Sequence, residues 1–154
     1  STVLSGKEEI LNSIVADLTE KGIPFKELKT SHAFHSFLMD PILNEFAKEF
    51  DEITFNEPEI KIISNLTGAT VSDEMCKPEY WTNQLRKAVK FDSCASAVLD
   101  TEAAIFVEVG PGNTLVSLIR SNEKFDASKH RMIHTVRRPN EKVNDSVKFL
   151  TSLA

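Results

Sequence analysis

Apolar residues recur at Ile10, Leu11, Ile14, Val15 and Leu18, the three-and-four spacing of a helix with one apolar stripe. Ser5-Gly6-Lys7-Glu8 fits an S-x-x-E capping box ahead of it, and Gly22 stands where a left-handed closing residue belongs. Pro24 then blocks continuation. Short apolar runs at 2–4 and 25–28 read as strands, so the first thirty residues predict strand, helix, strand, with the helix laid across one face of a sheet. A second helix is expected over 37–50, with Asp40-Pro41 in its opening turns and Ile42, Leu43, Phe46 and Phe50 on one side.

Farther on, Ile60, Ile62 and Ile63 form a predicted strand that ends in a turn at Asn65-Leu66-Thr67-Gly68. Pro78 opens a helix carrying Trp81, Leu85 and Ala88, and Asp92 caps another with Cys94, Ala97, Val98 and Leu99 inward. The run 104–109 is apolar enough for a strand buried on both faces. A Gly110-Pro111-Gly112 turn follows, then a helix with Leu115, Val116, Leu118 and Ile119, a strand over 132–136, and a closing helix bearing Val143, Val147, Leu150 and Leu153. Strands alternating with helices predict an α/β fold with parallel strands.

Composition narrows the function classes. The 154 residues are 41% apolar and 27% charged, which suits a globular domain and excludes bulk disorder. Eighteen basic against 23 acidic residues give a net charge of −5, which argues against a nucleic-acid partner. No apolar run approaches the roughly 18 residues of a membrane span, so no membrane partner is expected. The first residues have neither the pattern of a signal peptide nor an initiator Met, which suggests a piece of a longer cytoplasmic protein. Cys76 and Cys94 have no C-x-x-C spacing and are expected as reduced thiols.

Ser31-His32-Ala33-Phe34-His35-Ser36 is the segment richest in chemistry. It lies between a predicted strand and a predicted helix, where active-site groups of α/β proteins sit. A histidine there suits a general base, since imidazole titrates near neutrality; a pair of half-exposed loop histidines is the plain alternative. A zinc site is disfavoured, because H-x-x-H needs further ligands and neither cysteine stands at a recognisable spacing. His130 and His134 read as structural or solvated. Gly110-Pro111-Gly112 lacks the third glycine of a dinucleotide turn and the lysine of a P-loop, so a tight strand-to-helix turn is expected. Asn65-Leu66-Thr67 and Asn144-Asp145-Ser146 match the glycosylation sequon by chance. No serine stands in G-x-S-x-G, so either His35 is not a base or its nucleophile lies on another stretch of polypeptide.

Five motifs in order carry a resemblance: Ser31-His32-Ala33-Phe34-His35-Ser36, Leu38-Met39, Ser64-Asn65-Leu66-Thr67-Gly68, Glu79-Tyr80-Trp81 and Glu108-Val109-Gly110-Pro111-Gly112. Together they make the chain resemble the C-terminal half of the acyltransferase domain of modular polyketide synthases, and more distantly malonyl-CoA:acyl-carrier-protein transacylase. The resemblance implies the C-terminal part of an α/β-hydrolase-like large subdomain over 31–136. It further implies the last β-α-β of a ferredoxin-like small subdomain over 1–30 and a linker with a helix over 137–154. It implies malonyl transfer from malonyl-CoA to the phosphopantetheine thiol of an acyl carrier protein, by ping-pong chemistry with no bound cofactor and no metal. His35 matches the catalytic histidine, and the backbone carbonyl at Gln84 matches the group that orients its ring. His32 and Phe34 match the pair that reports malonyl over methylmalonyl. The nucleophilic serine would lie in the N-terminal half, so the chain by itself is expected to be inactive. Its partners would be that half and the neighbouring synthase domains. Phe37 and Ala88 depart from the family, which commonly has proline at both. A malonyl transferase of fatty acid synthesis and a non-catalytic interaction module are the rival readings.

Overall fold

The computed structural model describes residues 2–101, 103–138 and 140–153. They fall into two compact units, 1–90 and 91–154, each built around its own packing.

In the first unit helix α1 spans Glu8–Glu20, with Glu8 and Glu9 in its first turn. The Ser5 capping box does not form: the N-cap is Lys7, and the Ser5 hydroxyl is donated to the Phe34 carbonyl instead (2.8 Å). The closing end is as expected. Gly22 has φ +64°, its N–H bonds to the Thr19 carbonyl and the Ile23 N–H to that of Leu18, which together form a Schellman motif. Residues 2–4 and 25–28 are not strands. A strand is defined by its ladder, and no described segment pairs with either run, so α1 lies across no sheet and buries none of its residues.

The helix expected over 37–50 is broken in two. A 3-10 helix spans Phe37–Ile42 and α2 spans Leu43–Lys48. Pro41 has no N–H and its ring collides with a carbonyl one α-turn back, so the tighter turn takes up this stretch. Strands β1 (Ile62–Ile63) and β2 (Thr70–Val71) form a small hairpin, antiparallel where parallel strands were expected, turned by Gly68 at φ +79°. Helix α3 (Pro78–Arg86) begins on proline and ends before Ala88, because Lys87 is already extended at φ −89°, ψ 158°. Tyr80 is buried, and Trp81 stacks on Phe55 while its indole N–H reaches the Met75 carbonyl (2.9 Å).

The second unit pairs β3 (Ala104–Pro111) with β4 (His130–Val136) in parallel, Ala104 opposite His130 and Glu108 opposite His134. Helices α4 (Phe91–Leu99), α5 (Thr114–Arg120) and α6 (Asp145–Leu153) complete it. Asp92 sits inside the first turn of α4 and accepts from the buried Asn122 amide (2.8 Å); Ala95 and Leu99 are the buried residues of this helix, and Ala97 is exposed. β3 is covered on one face only. Ile105, Val107 and Val109 are 65%, 50% and 85% exposed, because no described segment covers their side of the strand. Val147, Leu150 and Leu153 of α6 are likewise exposed. His130 is buried between Phe106 and Phe125; its Nδ1 accepts from the Asp126 N–H (3.1 Å), so the ring proton is on Nε2. Among the described residues, no helix is long and apolar enough to cross a membrane.

Candidate functional site

The loop 31–36 is fixed from within and from outside. Ser36, 5% exposed, donates to the Ala33 carbonyl (2.7 Å) and accepts from the Leu38 N–H (3.2 Å), which closes the loop and caps the 3-10 helix after it. Arg86 at the end of α3 pairs with Asp40 of that 3-10 helix, and Ser5 holds Phe34 from the other side.

His35 is the one described residue other than glycine with a positive φ, at +60°. A side chain in this region costs about 1–2 kcal/mol, so something must hold it there. Two bonds to the end of α3 do so: the His35 N–H donates to the Leu85 carbonyl (3.0 Å), and Nδ1 lies 3.0 Å from the Lys87 carbonyl. A carbonyl only accepts, so Nδ1 carries the ring proton and Nε2 carries the lone pair. No hydroxyl among the described residues bonds to Nε2. The ring is thus oriented, in a defined tautomer, with no partner on Nε2 among the described residues.

The expected orienting carbonyl at Gln84 is corrected to Lys87. The helix has ended there, so the Lys87 carbonyl turns away from the axis, whereas Gln84 remains inside α3. The Gln84 side chain donates instead to Asn65 Oδ1 (3.2 Å). Nothing in the sequence marks Lys87, because the atom that matters is one every residue has. His32 and Phe34 are brought together, with ring centroids 5.8 Å apart and tilted by 58°, and Phe34 is 42% exposed. His32 Nδ1 is 3.0 Å from the Ser31 hydroxyl.

The Gly110-Pro111-Gly112 turn holds no anion site. Glu108 reaches past it and accepts from the Leu115 N–H (3.1 Å) and the Val116 N–H (3.0 Å), so the start of α5 is occupied by the chain's own carboxylate. In the sequence Glu108 stands out only as part of a motif; a carboxylate seven residues ahead of a helix amide is the signal for its role. Burial pushes the Cys94 thiol up, which disfavours its thiolate. Among the described residues, no group of three or more His, Cys, Asp or Glu side chains is placed to hold a metal ion.

The family model of the acyl transferase domain matches residues 1–154. The chain belongs to this acyl transferase family. The resemblance drawn from the five ordered motifs is therefore borne out. Polyketide synthase GfsA of Streptomyces halstedii is 41% identical over 121 residues, which is 78% of this chain and 2% of that protein. The acyl transferase domain of SpnD, in complex with 2-(pent-4-yn-1-yl)malonyl, matches with a TM-score of 0.89 at 28% identity, over 96% of this chain and 36% of that one. Malonyl CoA-acyl carrier protein transacylase from Clostridium perfringens shares the fold, with a TM-score of 0.71 at 21% identity over 93% of this chain and 42% of that one. This family member spans a small part of its relatives' length, between 2% and 10% of the first curated ones. Its α/β fold is that of polyketide synthase acyl transferase domains.

Proposed function

We propose that this acyl transferase chain carries the histidine of a Ser–His reaction that moves a malonyl group from malonyl-CoA to the phosphopantetheine thiol of an acyl carrier protein in polyketide synthesis. The reading rests on the His35 ring, with Nδ1 bonded to the Lys87 carbonyl and Nε2 without a partner among the described residues, on a backbone fixed at φ +60°. The family match supports the reaction class, and the malonyl derivative in the SpnD domain supports a malonyl-type acyl group.

The nucleophilic serine belongs to polypeptide outside this chain. Its hydroxyl proton passes to His35 Nε2 as the Oγ–carbon bond forms at the thioester. Collapse of the tetrahedral adduct breaks the carbon–sulfur bond, and the same proton goes to the CoA sulfur. In the second half Nε2 takes the proton of the pantetheine thiol, the thiolate attacks the acyl-serine, and the proton returns to the serine oxygen. The Lys87 carbonyl holds Nδ1–H throughout and faces the positive charge that forms on the ring, which is the task of the carboxylate in a Ser-His-Asp triad. Each step moves a proton or an acyl group, so the chemistry calls for no cofactor. The partners are malonyl-CoA, an acyl carrier protein, the rest of the acyltransferase and the neighbouring synthase domains, in the cytoplasm.

The test is transfer of labelled malonyl from malonyl-CoA to carrier protein by the complete acyltransferase carrying His35→Ala. Loss of roughly a hundredfold or more is expected from removing a general base. Activity near wild type, in a variant whose circular dichroism is unchanged, removes His35 from the mechanism.

A further inference from the structure

We infer that Asn65 is a positioning residue for His35, acting through residues 84–90. The two carbonyls that hold His35 belong to Leu85 and Lys87, and Asn65 grips this stretch at both ends. Its side-chain Oδ1 accepts from the Gln84 amide (3.2 Å), one residue ahead of Leu85, and its backbone carbonyl accepts from the Lys90 N–H (2.6 Å), three residues beyond Lys87.

The grip matters because α3 stops at Arg86. From Lys87 the chain is extended, with its own N–H still bonded to the Asn83 carbonyl (2.8 Å), so the carbonyl that orients the imidazole sits on backbone outside the helix. Asn65, in contrast, stands in a stiff turn. The Ser64 N–H bonds to the Ala69 carbonyl (2.9 Å), the Gly68 N–H to the Ser64 carbonyl (2.7 Å), and the Ser64 hydroxyl meets the buried Tyr80 hydroxyl of α3. A rigid hairpin therefore clamps the segment whose carbonyls set the ring. Shifts of about 1 Å in such a group cost on the order of a hundredfold in rate, so a partial loss of grip is expected to cost about tenfold.

The inference rests on the reading of His35 as the transferring base, so its test has two readouts. Nitrogen-15 NMR of the histidine-labelled chain reports which ring nitrogen of His35 carries the proton; kcat and KM of the complete acyltransferase report the catalytic consequence. Asn65→Ala and Gln84→Ala are each expected to move the His35 signals away from the Nδ1–H pattern and to lower kcat about tenfold with KM within about twofold. The double variant is expected to be no worse than the worse single one, because both remove the same bond. Asn65→Asp keeps an acceptor for Gln84 and is expected to restore both readouts. Thr67→Ala, which removes only an exposed side-chain bond to Ala69 and leaves Gln84 and the backbone bonds of the turn in place, is expected to change neither. Wild-type ring signals in both Asn65→Ala and Gln84→Ala, or an equal shift in Thr67→Ala, overturn the positioning role. Shifted ring signals in an enzyme that survives His35→Ala would leave the positioning role standing and overturn the catalytic reading instead.

Discussion

Phe34 and His32 stand side by side on the exposed surface of the loop, one residue apart along the chain from Ala33 and next to the proposed base. In the proposed malonyl transfer, a phenyl ring at this place would fill the room that a substituent on the malonyl C2 needs, and one methyl is worth about 1–3 kcal/mol of discrimination. Phe34→Ser with His32→Tyr in the complete enzyme is expected to raise the methylmalonyl to malonyl ratio of kcat/KM by about ten- to a hundredfold, read by competition between the two CoA esters. An unchanged ratio would mean that the ring does not border the acyl group. A second residue-scale effect concerns acid. The Ser128 hydroxyl and N–H both donate to Asp126, which holds its carboxyl below the usual carboxylate value. A depressed folded value contributes stability above the unfolded one, and the contribution is lost as pH falls through the folded one. Ser128→Ala is therefore expected to lower the urea midpoint slightly near neutrality, with the difference from wild type shrinking as pH falls through the Asp126 carboxylate range; a difference that persists unchanged into acid would mean the bond to Asp126 is not its source.

At the scale of elements, what a strand lends a helix is clearest at Glu108. It stands on β3, opposite His134 of β4, and its two carboxylate oxygens take two of the N–H groups that the first turn of α5 leaves unpaired. Its backbone carbonyl also accepts from the Thr135 hydroxyl (3.0 Å), which ties the same residue to β4. Glu108→Ala is expected to destabilise the second unit by about 1–2 kcal/mol, the usual worth of a lost cap with a charge at a helix start. Glu108→Gln keeps one acceptor and should recover part of that. Urea unfolding followed by far-ultraviolet circular dichroism measures both; equal stability of all three proteins would show that α5 does not depend on the carboxylate. The two ends of α1 differ in the same way. A Schellman motif is local and readable from Gly22, whereas the lost capping box is not, because Ser5 is drawn off to a carbonyl 29 residues away.

For the whole molecule, the exposed apolar side chains matter most. Ile105, Val107 and Val109 make a continuous greasy row along β3, and Val147, Leu150 and Leu153 line α6. Rows of this kind bind hydrophobic dyes and promote association. Replacing Ile105 and Val109 by threonine keeps β-branched side chains suited to a strand. The double variant is expected to show several-fold less dye fluorescence and less self-association by light scattering, with secondary structure unchanged. Dye binding equal to wild type would place the sticky surface elsewhere.

Local pattern was enough to determine the α/β class, the start of α3 at Pro78, the close of α1 at Gly22, the hairpin turn at Gly68, and the histidine loop with its family motifs. These depend on backbone preferences and side-chain period within one or two turns of chain. What the tertiary structure alone decided are the links between distant residues: Lys87 rather than Gln84 as the partner of His35, Asn65 as anchor of residues 84–90, Glu108 as the cap of α5, and the bare face of β3. A backbone carbonyl leaves no mark in the identity of its residue, and whether an apolar strand face is covered depends on what stands opposite it in space.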